Sequence, residues 1–136
     1  MTTADAFSSP RTGPSVPRQR QAPFAAPGSS LRVCVERPGP HTAVVHVRGE
    51  VDSASAPKLT EVLVARLRGT LRTLVVDLSE VDFLGAAGLS TLLYADLLAR
   101  QVGIELCVVT GGNRWAVRAL TVTGIDQRLA VREHAG

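Results

Sequence analysis

Cysteine is scarce in this chain of 136 residues, and the pattern of potential ligands argues against a metal site. The two cysteines, Cys34 and Cys107, each lie in an apolar segment typical of a strand. No pair of cysteines or histidines has metal-ligand spacing, so we predict neither a metal site nor a cofactor. We expect both thiols to be free and buried, with a redox disulfide between them as the alternative.

Long apolar runs are absent as well. No stretch approaches the roughly 20 apolar residues that cross a bilayer, and the N-terminus has no apolar signal-peptide core. We therefore predict a cytoplasmic protein that does not insert into a membrane.

Clustered positive charge is also lacking, although the net charge is +3 and the isoelectric point is about 9.5. The first thirty residues contain three arginines and one aspartate, so they carry +2 and the remaining residues carry +1. A nearly neutral domain has little electrostatic attraction to a phosphate backbone. We predict no direct binding to nucleic acid.

Catalytic constellations are equally sparse. The three histidines are scattered between a turn, a strand and the C-terminus, and no serine, histidine and carboxylate combination follows from their order. Asp77 ends an apolar run, as a phosphorylated aspartate does in a receiver domain, but the only lysine, Lys58, lies in the first predicted helix. The sequence predicts a protein that is not an enzyme.

The chain divides into a tail and one domain. Residues 1–30 contain five prolines among small polar residues and arginines, a composition that cannot bury enough apolar surface to fold alone. We expect a disordered tail or a docked arm there, and a single domain over residues 31–136.

Apolar patterning within the domain alternates between strands and helices. The predicted strands cover residues 31–36, 43–47, 74–76 and 104–109, with a short strand near 129–131. The predicted helices lie between them and carry Leu59, Val62, Leu63 and Leu67, then Leu89, Leu92, Leu93 and Leu97, then Ala116, Val117 and Leu120. This order predicts an α/β fold, with about three helices and a mixed four- to five-stranded sheet whose first two strands are antiparallel.

Local signals mark the helix ends. Ser53 or Ser55 is available to cap the first helix, and Asn113 to cap the third. Gly69 and Gly103 are expected to end the first and second helices in the left-handed conformation. We expect Trp115, on the third helix, to pack in the core, with an exposed anchor for a partner as the alternative.

The most informative segment runs from Val75 to Leu89. We interpret it as a strand that ends at Asp77, a short loop, and a helix that opens at the tetrad Gly85-Ala86-Ala87-Gly88. Small residues at that point permit close packing of a helix on a strand. The exposed N–H groups of a helix start also form a site that can hold an anion.

This tetrad resembles the signature of STAS domains of the bacterial anti-sigma factor antagonist type, where it usually reads Asp-Ser-Ser-Gly or Gly-Ser-Ala-Gly. Two further segments, Gly49-Glu50-Val51-Asp52 and Leu120-Thr121-Val122-Thr123-Gly124-Ile125-Asp126, are similar to family motifs in the same order. The resemblance covers about residues 32–132 and implies the STAS fold. It also implies a protein that binds an anti-sigma factor, which is also a serine kinase, and so releases a sigma factor.

In that family the kinase phosphorylates a serine that falls at Ala86 here, so the resemblance implies a degenerate phosphosite. Replacement sites would be Ser79, Ser90 or Thr91, although such residues usually serve local capping. The implied partner-binding surface consists of Glu50, Asp52, Asp82, Phe83, Leu84, Gly85, Ala86, Ala87, Gly88 and Leu89. Phe83 and Leu84 are its candidate anchors if they are exposed, and Glu50 and Asp52 have turn formation as an alternative role.

Two other functions remain open from the sequence. One is a STAS subunit of a larger assembly, such as a stressosome or a lipid-transport complex. The other is a small-ligand sensor that binds in the cleft above the sheet.

Overall fold

The computed structural model describes residues 24–25 and 30–134, and in that part of the chain six strands form one mixed sheet. The strands are β1 (Phe24–Ala25), β2 (Arg32–Gly39), β3 (Thr42–Val51), β4 (Thr73–Leu84), β5 (Glu105–Val109) and β6 (Ala130–Arg132). Strands that follow one another in sequence are neighbours in the sheet. The pairs β1–β2 and β2–β3 are antiparallel, and the remaining pairs are parallel.

The predicted mixed sheet with an antiparallel start is therefore confirmed. The strand count exceeds the prediction because the two-residue β1 adds an edge before β2. That strand falls in the predicted tail, and the rest of the tail, residues 1–23 and 26–29, lies outside the described residues.

Three helices connect the parallel strands: α1 (Ala56–Leu67), α2 (Ala86–Val102) and α3 (Arg114–Val122). Right-handed crossovers between sequential strands place all three on one face of the sheet. The main core lies between that face and the helices, where Leu59, Leu63, Leu92 and Leu120 are at most 1% exposed. A smaller cluster of Val75, Cys107 and Val109 lies on the opposite face.

The predicted helix ends are partly right. Gly103 ends α2 in the left-handed conformation, and Asn113 caps α3 through its side chain. For α1, the predicted N-cap residue is right but its capping bond is absent, and the predicted C-terminal glycine is wrong. Ser55 occupies the N-cap position of α1 without a side-chain cap bond, because its hydroxyl oxygen accepts from the Asp52 N–H instead and its proton is donated to the Glu50 carbonyl. The C-cap of α1 is Arg68 in the right-handed region, and Gly69 has no positive φ.

The predicted loop after Asp77 is wrong too, because β4 continues to Leu84. Strand β3 also runs on to Val51 and pairs with this extension as far as Val51–Leu84. Two register shifts in the β3–β4 pair leave the buried residues of the extension, Leu78, Val81 and Leu84, three positions apart. The alternation of period two that identifies a strand is therefore lost at this point.

Both cysteines are buried and outside any disulfide, as predicted, and burial raises the pKa of the Cys107 thiol. The alternative of a disulfide between Cys34 and Cys107 does not occur in the structure.

Candidate partner-binding surface

The residues that the sequence singled out meet at the carboxyl ends of β3 and β4. Glu50 and Phe83 are paired across the two strands, and the Gly85 N–H donates to the Val51 carbonyl at 2.9 Å. Helix α2 begins at the next residue, Ala86. Two strand ends and one helix start therefore form a continuous rim, which we define as Glu50, Asp52 and residues 82–89.

Exposure within the rim is uneven. The exposed members are Glu50, Asp82, Phe83 and Ala86, the partly exposed ones are Asp52, Gly85 and Ala87, and the buried ones are Leu84, Gly88 and Leu89. Phe83 is 52% exposed and Leu84 only 8%. Of the two candidate anchors, Phe83 alone meets the condition of exposure.

Both glycines of the tetrad have close neighbours at the place where a side chain would begin. A Cβ on Gly85 would lie 2.9 Å from the ring of Phe83, so the absence of a side chain lets that ring fold back over the helix start. A Cβ on Gly88 would lie 2.7 Å from both Leu84 Cδ1 and Val51 Cγ1. The second glycine therefore lets α2 approach the strand ends closely.

Ala86 has a different position from the glycines, since it is exposed in the first turn of α2. The first turn contains no acidic residue and its N-cap, Gly85, has no side chain to accept a bond. The partial positive charge of the helix start is thus uncompensated by this segment. The alanine methyl group offers no oxygen for phosphorylation at this accessible point.

Asp52 builds the turn that leads from β3 into α1. Its Oδ1 accepts hydrogen bonds from the backbone N–H groups of Ala54 and Ser55, both at 3.0 Å. These bonds, above all that from the Ser55 backbone, lower the pKa of the Asp52 carboxyl. The structure therefore gives Asp52 the turn-forming role that was its alternative, and it leaves the Glu50 side chain exposed on the rim.

The three alternative phosphosites differ in access. Thr91 is buried and its hydroxyl lies 2.8 Å from that of Thr60, so it is not accessible to a kinase. Ser79 is partly buried within β4 rather than in a loop. Ser90 is exposed on α2.

Sequence reasoning missed the outer face of α3, and the expectation that Trp115 packs in the core is wrong. Trp115 is 71% exposed and Val122 73%, while Ala116 and Leu120 are buried. The buried pair is spaced four residues apart and the exposed pair seven, so each pair occupies its own face of the helix. That spacing was the available signal for two apolar faces on a nine-residue helix.

A second polar cluster lies on the sheet face away from the helices and was also missed. His46 lies between two carboxylates, with Nδ1 2.8 Å from Asp77 Oδ2 and Nε2 2.7 Å from Glu36 Oε1. The hydrogen bond to Asp77 raises the pKa of His46, and the hydrogen bond to Glu36 raises it further by a smaller amount. The bond from His46 lowers the pKa of Asp77 to about 2. The Arg48–Glu80 pair lines the same shallow cavity.

We expect this cluster to make stability depend on pH. The folded-state pKa of His46 lies above the ordinary value of 6.5, so the imidazolium stabilises the fold below that value. The stabilisation is lost as the pH rises through the folded-state pKa. Replacing His46 with Gln should therefore cost on the order of 1 kcal/mol near pH 5.5 and clearly less near pH 8.5. Urea denaturation at both pH values measures the difference.

The matched control for this experiment is His41→Gln, which changes an exposed side chain in the β2–β3 turn. Its effect on the free energy of unfolding should be small at both pH values. Identical pH profiles for the two variants would show that the doubly bonded imidazole contributes nothing to stability.

The described residues contain neither a candidate metal site nor a helix that could span a membrane. Among residues 24–25 and 30–134, no group of three or more His, Cys, Asp and Glu side chains is arranged to hold a metal ion. Over the same residues, every helix is too short or too polar to cross a bilayer.

Comparison with known proteins shows the family of the chain. The family model described as "Mlab, STAS domain" matches residues 34–132. No curated protein matches the chain. Among solved structures, an anti-sigma factor antagonist from Mycobacterium paratuberculosis is 30% identical; the match covers 82% of the chain and 92% of that protein, with a TM-score of 0.64.

Two structures of SpoIIAA also have the same fold. The anti-sigma factor antagonist in its unphosphorylated form is 14% identical, with 73% of the chain and 86% of SpoIIAA covered and a TM-score of 0.61. The phosphorylated form of this Bacillus cell fate determinant is 13% identical, with coverages of 73% and 89% and a TM-score of 0.58. Since the family model spans most of the chain and a relative of 30% identity covers four fifths of it, the chain belongs to the STAS domain family.

Proposed function

We propose that this protein is an anti-sigma factor antagonist that binds an anti-sigma factor, also a serine kinase, and so releases a sigma factor. The observation that carries the proposal is the 30% identity to an anti-sigma factor antagonist over 82% of the chain. The action is binding rather than catalysis, and it takes place in the cytoplasm.

The rim supports this proposal by its shape and chemistry. Phe83 offers an exposed aromatic anchor close to Ala86, which is exposed in the first turn of α2. A typical protein interface buries about 800 Å² on each partner, with most of the binding energy in a few such anchors.

Ala86 makes the proposed antagonist constitutive. A phosphate on a serine at this position would add a charge of about −1.5 to −2 to the surface that faces the partner. Alanine cannot accept that group, so residue 86 never carries the negative charge of a phosphate. Binding is then controlled by the amount of the two proteins rather than by phosphorylation at residue 86.

Replacing Ala86 with Asp should weaken binding to the anti-sigma factor by more than about tenfold, because the new charge must be desolvated in the interface. An aspartate in the first turn of a helix interacts favourably with the helix dipole, so the variant should fold at least as well as the wild type. Titration calorimetry against each anti-sigma factor kinase of the source genome measures the affinity, and circular dichroism checks the fold.

The matched control is Ala86→Asn, which has nearly the size of aspartate without its charge and should bind within about threefold of the wild type. Equal affinity of all three proteins would place the interface elsewhere. Incubation with the kinase and ATP tests the constitutive form: Ala86→Ser should be phosphorylated and the wild type should not. Phosphate on Ser79, Ser90 or Thr91 of the wild type would overturn it.

A second candidate function is a STAS subunit of a larger regulatory or lipid-transport assembly. It is favoured by the description of the matching family model, "Mlab, STAS domain", which does not specify antagonists. Affinity capture from the source cell distinguishes the two functions, since an anti-sigma factor supports the first and a transporter ATPase the second.

A further inference from the structure

An apolar groove adjoins the rim and is not explained by the packing of the domain. It lies between α3 and the junction of β4 with α2 and has a volume of about 450 Å³. We call it the α3 groove and define it by Phe83, Ala86, Trp115, Arg118 and Val122, which all line it. It shares Phe83 and Ala86 with the rim.

For a helix of nine residues, α3 exposes an unusually large apolar surface along the groove. Trp115 and Val122 are each more than 70% exposed, and Phe83, on the opposite wall, is 52% exposed. Single exposed apolar residues are ordinary, but large side chains grouped around one concave surface mark a contact site. Tryptophan in such a position is the residue type most often found to dominate binding energy.

Charge indicates the chemistry of the occupant. Arg118 lines the groove and Arg114 lies one turn earlier on α3, beside the adjacent shallow cavity. Within the described residues, neither guanidinium has a hydrogen bond or an ion-pair partner. Asp82, at the opposite edge, is the one carboxylate among the residues that line the groove. The α3 side therefore presents two free positive charges next to an apolar surface.

We propose that the α3 groove binds an apolar partner segment that carries carboxylates, with its apolar side chains between Phe83 and Trp115 and its acidic groups on Arg114 and Arg118. Arginine binds carboxylates through two parallel hydrogen bonds, which would fix the orientation of the segment. The inference rests on the proposed function, because it names the feature of the anti-sigma factor that this antagonist recognises.

Two other occupants fit the charges less well. The first thirty residues of the chain carry a net charge of +2, so electrostatics disfavours their docking beside two arginines. A second copy that met this small patch through a two-fold axis would bring the arginines of both chains together. An acidic apolar segment of another protein lacks both conflicts.

Trp115 provides a direct measurement because it is the only tryptophan of the chain. The probes are two synthetic amphipathic peptides with identical leucine and phenylalanine positions, one with glutamate and one with lysine at every polar position. We expect the glutamate peptide to shift the tryptophan emission to shorter wavelength in a saturable manner. The lysine peptide should bind at least about tenfold more weakly.

The double variant Arg114→Glu/Arg118→Glu should reverse this preference, since it exchanges the sign of the charge and keeps the groove. Its fold is checked by circular dichroism. The proposal is overturned if neither peptide shifts the emission of the wild type, or if both peptides bind equally to the two proteins. Emission that shifts with protein concentration alone, together with a doubled mass in light scattering, would also overturn it in favour of a second copy.

The same double variant, titrated with the anti-sigma factor kinases of the source genome, separates this inference from the proposed function. Binding by the wild type and a loss of more than about tenfold in the double variant would support both. Wild-type binding that is sensitive to Ala86→Asp and unaffected in the double variant would overturn the groove and retain the function. If no kinase binds the wild type, the proposed function fails, and the peptide experiment alone decides on the groove.

Discussion

Replacing Asn113 with Ala should destabilise the domain by about 3 kcal/mol, because one side chain stabilises two separate elements. The Asn113 Oδ1 accepts from the Trp115 N–H at 3.1 Å and caps α3. Its amide group donates to the backbone carbonyls of Leu78 and Val81 at 2.9 and 2.8 Å. Both of these residues are buried in the extension of β4.

The two carbonyls depend on Asn113 because β5 does not extend beside them on this edge of β4. Strand β5 pairs with β4 only as far as Asp77, so the extension beyond that residue has no further strand pairing to β5. The Asn113 amide replaces the missing hydrogen bonds and joins α3 to the strand. Without it, two buried acceptors are left unpaired, each at a cost of about 1 kcal/mol or more.

Two further substitutions at this position separate its functions. Asn113→Ser keeps a capping oxygen and removes the amide donor, so it should recover about 1 kcal/mol of the loss. Asn113→Asp also keeps the cap, but its carboxylate would face the two carbonyl oxygens, and we expect it to be at least as unstable as the alanine variant. Urea denaturation gives the free energies of unfolding, and hydrogen exchange reports the protection of the α3 amides.

A serine variant as stable as the wild type would contradict the role assigned to the amide. The consequence for binding is also testable: since α3 forms one wall of the α3 groove, the glutamate peptide should bind Asn113→Ser more weakly than the wild type under native conditions.

Replacing Gly88 with Ala should destabilise the domain by about 2 kcal/mol, although alanine is the better helix former by about 1 kcal/mol. The added methyl group would lie 2.7 Å from Val51 Cγ1 and Leu84 Cδ1, well inside the usual carbon–carbon contact distance. Val51 is fully buried, and its branched side chain has little freedom to rotate away. The first turn of α2 must therefore move, and Ala86 moves with it.

The matched control is Gly39→Ala, because a Cβ on Gly39 would meet nothing within 4 Å. It should change the free energy of unfolding by less than about 0.5 kcal/mol. A double variant, Gly88→Ala with Val51→Ala, removes the methyl groups of Val51 that oppose the new side chain. Its free energy of unfolding should exceed the value expected from adding the two single effects by about 1 kcal/mol. If Gly88→Ala is instead more stable than the wild type, helix propensity outweighs packing and the close approach is not required.

The order of the elements followed from the sequence because each one carries its own local signal. The run Leu74-Val75-Val76 was predicted as a strand, and it lies in β4 with all three residues at most 6% exposed. Gly103 and Asn113 were predicted as helix ends from residue type alone. Such signals depend only on residues within a few positions, so they do not change with the tertiary contacts of the segment.

The extension of β4 shows where local signals fail. Polar residues at Ser79, Glu80 and Asp82 interrupt the apolar run and suggested a loop. The segment is a strand because β3, some thirty residues earlier in the chain, extends beside it and supplies the hydrogen bonds. The register shifts then direct Leu78, Val81 and Leu84 inward, which no fixed period could have indicated.

The candidate surfaces also differ in whether a local sequence motif marks them. The residues of the rim were named from the sequence because the tetrad is a continuous motif. Whether Phe83 and Ala86 are exposed was decided by the fold. The α3 groove and the His46 cluster were missed. Trp115 faces Phe83 across a groove formed by two separate elements, and the two carboxylates on His46 lie 10 and 31 residues away in the chain.

The sequence by itself determined the three helices, five of the six described strands apart from the extension of β4, their order, and the alanine at the start of α2, since these depend on residue type and short-range spacing. Only the tertiary structure decided which side chains of the rim and of α3 face outward. That choice depends on the pairing of β3 with β4 and on the position of α3 against them, because a side chain is buried or exposed by residues distant in the chain. The proposed partner-binding surface combines both: a local motif supplies Ala86, and long-range packing places Phe83 and Trp115 around it.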